Sequence, residues 1–318
     1  MSLRELLRVV DLDPHTVDVP SANWTTGLLA DYLAKQPGRR GGPGDGAPPP
    51  APPGLRLQAP DLDRGAQGPG PGGLPGKRLR AELLLRAALP TAPGPADAPL
   101  PALLAALGEP DLLPDVPADV SELLALLPRA DLYVQDEVQL ALHPTLTRTW
   151  SRRGRRGQWL VHAPGNNQKC LGFGAVDWRD GYLCFGFSPR RDAETLCLQL
   201  DDLVARSRAR GRIAIVLLDN ARTHTPKGSR LVRATLARHG DALRLVYTPA
   251  YDPDSNPIER LWRVFRRRVT HNHHRDDFWG LYQDAEDEVG RLQADAASVL
   301  RHIGSPSDPG ALALDSAA

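Results

Sequence analysis

From Asp131 onward, apolar and polar positions fall into two recognisable periods. Leu132, Val134, Asp136 and Val138 occupy every second position, which predicts a strand carrying Asp136 on an otherwise apolar face. Trp159–Pro164 reads as a short strand, and the runs CLGFGAVDW and GYLCFGF flank Arg179-Asp180-Gly181 as the arms of a hairpin. Ile213–Leu218 is a continuous apolar run ending abruptly in Asp219-Asn220. That is the pattern of a strand buried on both faces, delivering a carboxylate at its C-terminal end. Leu243–Tyr247 predicts one more short strand. A period near 3.6 separates these runs. Asp192–Arg208 lines up Leu196, Leu200, Leu203 and Val204, and Ser229–His239 predicts a helix closed by Gly240. Pro257–Val269 predicts a helix capped by Asn256, with proline at its first position and Glu259 in its first turn. One or two helices follow over Arg275–Ile303, and 305–318 reads as a tail.

The N-terminal part is patterned differently. Residues 1–36 hold short helical patterns, the better of which places Trp24, Leu28, Leu29 and Tyr32 on one face. Residues 37–128 are rich in Pro, Gly, Ala and Leu, and the first forty of them contain eleven prolines and twelve glycines. No aromatic residue lies between Tyr32 and Tyr133, so this span lacks the apolar bulk that offsets ordering entropy and is expected to be disordered. RAELLLRAAL and LPALLAALGE within it suggest only short helices, interrupted by proline. Two origins fit the composition: a flexible linker, or a pair of compensating frameshifts in a GC-rich gene.

The whole-chain charge is +1, so any attraction to a polyanion must be local. SRRGRRG places Arg152, Arg153, Arg155 and Arg156 on a flexible loop, and Arg263, Arg266, Arg267 and Arg268 follow Glu259 on its helix. Both clusters suit phosphate contacts. The histidine-rich HNHH run, 271–274, reads as surface or DNA-backbone contact rather than a metal site. Asp177, Asp180, Asp201 and Asp202 read as solvated. Cys170, Cys184 and Cys197 lack paired zinc spacing and sit in apolar runs, which fits buried thiols in a reducing compartment. Neither a signal peptide nor a membrane span is expected.

Asp136 on a strand, Asp219 at a strand end and Glu259 at a helix start are three carboxylates on rigid elements, the donor set that a hard divalent cation takes. Phosphodiester cleavage without a covalent intermediate uses two such ions about 3.5–4 Å apart to activate water and stabilise the leaving oxygen. Glu137, one residue on, points to the other strand face and is a poor ligand beside Asp136.

The segments DEVQLALHPTLTRTWSRRG, LLDNARTHTPKG and YTPAYDPDSNPIERLW together resemble the catalytic domain of DDE transposases. The likeness is nearest to the insertion sequence six-thirty family, the bacterial branch of the mariner superfamily. It implies an α/β fold of ribonuclease-H-like type over 129–304, a mixed five-stranded sheet flanked by helices, which the order of elements above also fits. It implies Asp136, Asp219 and Glu259 as catalytic residues and ligands of two Mg2+ ions, with Mn2+ as a substitute. Asn220, His224 and Asn256 would support the metal or contact phosphate. Residues 1–36 would be part of a helix-turn-helix DNA-binding region. The implied partners are transposon terminal inverted repeats and target DNA, with a homodimer during synapsis, insertion at TA, no membrane, and a cytoplasmic, nucleoid-associated location. A transposition-defective remnant and a nuclease of the same fold without strand transfer are the alternatives.

Overall fold

The computed structural model describes residues 55–58, 81–82, 84–88, 120–152, 160–249 and 253–305. The expectations for 1–36, for most of 37–119 and for 306–318 lie outside these residues. The elements in chain order are β1 (Leu55–Gln58), α1 (Val120–Leu126), β2 (Ala130–Ala141), β3 (Thr149–Arg152), β4 (Lys169–Asp177) and β5 (Leu183–Ser188). They continue as α2 (Ala193–Ala209), β6 (Ile213–Leu218), α3 (Arg230–His239), β7 (Leu243–Tyr247), α4 (Ile258–Val269), α5 (Phe278–Ala294) and α6 (Ala296–Ile303). The described residues fall into two compact units. Among them no helix is long and apolar enough to cross a membrane.

The larger unit, built from parts of 81–139, 170–263 and 289–305, holds a five-stranded sheet of order β5-β4-β2-β6-β7. β4 and β5 pair antiparallel, whereas β2 pairs parallel with β6 and β6 with β7. This mixed sheet flanked by helices is ribonuclease-H-like. The hairpin turns at Gly181, whose φ of +74° would strain any side chain, and a Cβ there would also strike the Ala296 carbonyl. α2 is capped by Asp192, which accepts from Thr195 N, and α3 by Ser229. Leu196, Leu200, Leu203 and Val204 pack with Tyr133, Phe173, Val216 and Leu218 in one core. On the opposite sheet face, Gly174 leaves the space that the buried Trp262 ring of α4 fills.

Three expectations need correction here. Part of the proline-rich span is ordered: β1 pairs antiparallel with β3 in the smaller unit, an alternating Leu-Arg-Leu-Gln run finding a strand edge. In the larger unit, Leu84 and Ala88 are buried, and the Leu85 and Ala88 carbonyls accept from Trp178 Nε1 and Arg179 Nε. α1 likewise buries Leu123, Leu124 and Leu126. Residues 160–164 are not a strand; Leu160 is 85% exposed, and the Pro164 carbonyl accepts from His143 Nε2 instead of a ladder. Asp177 is buried rather than solvated: its side chain is 2% exposed and pairs with Arg206 at 2.9 Å and Arg210 at 3.4 Å. These arginines also reach Asp131 and Asp180, so a chain of alternating charges closes one end of the sheet.

The smaller unit, from parts of 55–58, 140–169 and 264–288, is held by the histidine-rich run. Asn272, at φ 48°, is buried; its amide accepts from Thr147 N and donates to Thr147 O, both at 2.9 Å. Thr145 N donates to Thr270 O, and His273 is buried, its Nδ1 accepting from Arg275 N. This run is therefore a structural knot rather than a surface strip. Its polar groups replace the ladder that an irregular loop cannot make for itself.

Candidate active site

The parallel register of β2 and β6 builds the site. Val134 lies opposite Leu217, so two residues on, Asp136 reaches the level of Asp219, just past the end of β6. Paired residues of parallel strands share a face, and neighbouring strands run about 4.8 Å apart. α4 is brought to the same level by Asn256. This residue is 4% exposed, and its Nδ2 donates to the carbonyl of Gln135, the residue before Asp136, at 2.8 Å. Its Oδ1 accepts from Ile258 N at 3.4 Å and its carbonyl from Glu259 N at 3.1 Å, so the residue that caps α4 also ties α4 to β2. Trp262, one turn beyond Glu259, seats the helix on the sheet with its ring edge-on to Phe185 at 5.9 Å.

The electrostatics follow from this convergence. Burial raises the Asp136 carboxyl to about 8, and Glu259, Glu137 and Asp219 push it the same way. Asp136 therefore lies within the field of both other acids expected from the sequence, Asp219 and Glu259. Among the described residues, however, no three His, Cys, Asp or Glu side chains close into a ready-made metal-ligand set. The carboxylates are crowded but not caged.

Asp219 is tethered. Its Oδ1 accepts from Ala221 N at 3.0 Å and lies 2.5 Å from His224 Nδ1. On the far side of the ring, His224 Nε2 lies 2.9 Å from Glu137 Oε1, an ion-pair contact whose angle is poor for a hydrogen bond. Both partners are 1% exposed. Burial opposes the imidazolium, yet the two carboxylates outweigh it and hold His224 up at about 9. Burial likewise works against the Asp219 carboxylate, but the His224 hydrogen bond prevails and its pKa is lowered. Glu137 is thus, as expected, turned away from the Asp136 face, but it is far from idle. The adjacent Asp-Glu pair was the signal in the sequence; what it lacked was the partner, 87 positions on in the numbering.

The remaining expected residues divide. Asn220 is exposed, and among the described residues its side chain makes no hydrogen bond. Arg263 and Arg267 are exposed, Arg266 is half-buried, and Arg268 is engaged with buried Glu288 at 2.8 Å. Arg152 ends β3, and its side chain lies outside the described residues, as do Arg153, Arg155 and Arg156 entirely. Cys170, Cys184 and Cys197 are free thiols.

Comparison with known proteins follows the same segment. Residues 131–278 match the family described as DDE superfamily endonuclease. An insertion element IS630 uncharacterized 39 kDa protein of Shigella sonnei is 31% identical over 151 residues, 47% of this chain. The match spans 42% of that protein, under half of its length. Two solved structures are more distant. The Mos1 transposase paired-end complex with left transposon end gives 15% identity and a TM-score of 0.40, over 96% of this chain and 79% of that one. The Mos1 strand transfer complex gives 16% and 0.41, over 97% and 75%.

Proposed function

We propose, from the match of residues 131–278 to the family described as DDE superfamily endonuclease, that this protein is a DNA transposase using Asp136, Asp219 and Glu259 as its catalytic acids. The observation that carries the reading is the convergence of these carboxylates: the β2–β6 register sets Asp136 level with Asp219, and Asn256 ties the Glu259 turn to Gln135 at 2.8 Å. Such a cluster, with buried His224 beside it, fits a divalent metal. The residues that would hold it are Asp136, Asp219 and Glu259, and oxygen donors of this kind suit Mg2+, with Mn2+ as a substitute. When bound as a pair, such ions make water nucleophilic and stabilise the leaving oxygen of an in-line displacement.

The chain's own residues supply the frame. Asn256 holds the Glu259 turn against the strand of Asp136, and His224 fixes the Asp219 carboxylate. Arg263 and Arg267, both exposed, are the arginines of this helix that would contact phosphate, and the sequence cluster Arg152, Arg153, Arg155 and Arg156 would serve the same purpose. Arg268 is left out, because its charge answers Glu288. The substrate is DNA at the ends of a mobile element. Hydrolysis frees a 3′ hydroxyl that then attacks target DNA, with insertion at TA and two copies of the chain synapsing two ends.

The test is nicking of DNA with Mg2+ by the full chain and by D136N, D219N and E259Q. Each variant is expected to lose at least about 100-fold in rate, the scale of removing one preorganised electrostatic group. Retained nicking by any one of them removes that residue from the set. Pre-cleaved ends offered with a target plasmid separate a transposase, which joins them, from a nuclease, which does not. A remnant shows neither activity and binds terminal repeats no better than random DNA.

A further inference from the structure

We propose that Glu137 is a positioning residue: its carboxylate fixes the ring of His224, and the ring in turn holds Asp219 in the orientation that receives a divalent cation. The inference rests on the metal-centre reading above and deepens it. Glu137 is part of β2, one residue past Asp136, and points to the face that Asp136 does not use. Its side chain is 1% exposed. A carboxylate so placed is costly unless a cation answers it. The two that face it are His224, itself 1% exposed at 2.9 Å, and Arg191, 55% exposed at 3.5 Å. The buried partner is therefore the ring.

His224 closes a 3-10 turn, Arg222–His224, whose backbone is anchored by Tyr247 Oη donating to the His224 carbonyl at 3.0 Å. The backbone is thus held independently of the ring, and the ring keeps its own rotation unless both nitrogens are engaged. Asp219 engages Nδ1 and Glu137 engages Nε2. Asp219 stands past the last residue of β6, and its side chain is 43% exposed. Of the three acids it is the one that lies outside a strand or helix. The Glu137–His224 pair supplies from the rear the rigidity that Asp136 draws from its strand and Glu259 from its helix. Outer partners of metal-binding side chains act in this way, and their loss typically weakens metal binding about 10–100-fold.

Two conservative variants separate reach from charge. E137D keeps the charge but draws the carboxylate back from His224 by one methylene. E137Q loses the charge but keeps an oxygen at the same reach from Nε2. Mn2+ binding to the full chain, followed by electron paramagnetic resonance, is expected to weaken about 10–100-fold in E137D and to stay within about threefold in E137Q. In an H224N background E137D adds nothing further. A metal-independent readout accompanies this one. The chain has nine histidines. Histidine-nitrogen NMR of the wild type should show two slowly exchanging imidazole N–H protons that H224N abolishes, retained in E137Q and lost or at least tenfold faster in exchange in E137D.

Unchanged Mn2+ affinity and imidazole signals in E137D overturn the proposal. So does the reverse order, E137Q weaker than E137D, or a full E137D effect persisting in H224N, which would make Glu137 a direct ligand. If the wild type shows no Mn2+ binding that D136N abolishes, the metal-centre reading falls. The proton signals then still decide whether Glu137 holds the ring.

Discussion

Replacing Asn256 by aspartate tests whether the helix of Glu259 is tied to the strand of Asp136 or merely capped near it. The Asn256 amide does two jobs. Oδ1 accepts from Ile258 N at a long 3.4 Å, and Nδ2 donates to the Gln135 carbonyl at 2.8 Å between residues that are 4% and 0% exposed. Aspartate caps helices as well as asparagine does, so capping alone predicts no loss. The tie predicts otherwise. A carboxylate cannot donate, and a buried carbonyl that loses its donor costs about 1–3 kcal/mol. A further negative charge would also enter a site already crowded with acids. N256A loses the tie and the cap, the latter adding about 0.5–2 kcal/mol. The expected order is therefore wild type above N256D, with N256D losing at least as much as the tie is worth. Urea denaturation of the full chain reads it as a shift of midpoint at constant m-value. Metal-dependent nicking should fall further than the unfolded fraction explains, since a 1 Å misplacement of reacting groups costs about 100-fold. An N256D protein as stable and active as wild type would refute the tie.

Three further outcomes follow from packing and charge. G174A would set a Cβ 2.3 Å from the Trp262 ring and is expected to cost about 1–3 kcal/mol, with a changed near-ultraviolet dichroism of the tryptophan; unchanged stability would mean that α4 shifts freely. R206A strips Asp177 of its 2.9 Å partner while leaving Arg210 at 3.4 Å, so a loss of about 3 kcal/mol is expected, and D177N in the same background should recover part of it. His271 is lowered to about 4, by burial first and then by Arg266 and Arg267. Its folded pKa lies below the unfolded value, so the stability tied to its neutral form is complete above about pH 6.5 and is lost as pH falls toward 4. Denaturation midpoints at pH 7, 6, 5 and 4 should show this slope in the wild type and a shallower one in H271Q; equal slopes would place the acid sensitivity elsewhere.

What the sequence shows and hides has one physical cause. Period and punctuation are local, so β6, β7, the hairpin and α2 to α4 were legible to within a residue or two, as was the setting of each acid on its element. Composition is also local, yet it misjudged the proline-rich span. Leu84, Ala88 and the leucines of α1 are buried in the larger unit, and a sparse apolar pattern becomes a core contribution only when another element supplies the other wall. Polar residues are the harder case, because their meaning lies in partners. Asp177 sees Arg206 across 29 positions, Asn256 sees Gln135 across 121, and Asn272 sees Thr147 across 125. None has a spacing that betrays it. Asp136 on a strand and Asp219 at a strand end were each legible, and the parallel register, visible only in the fold, sets them level; Glu137 and His224 were not legible as a pair, because a turn sets the ring. The two kinds of support differ in what mutation can reach. Backbone register survives most side-chain changes, so Asp136 stays in place however the loops are altered. Asp219 is held by the Ala221 N–H and by a ring that Glu137 touches in turn, so a single methylene removed from Glu137 is expected to loosen it.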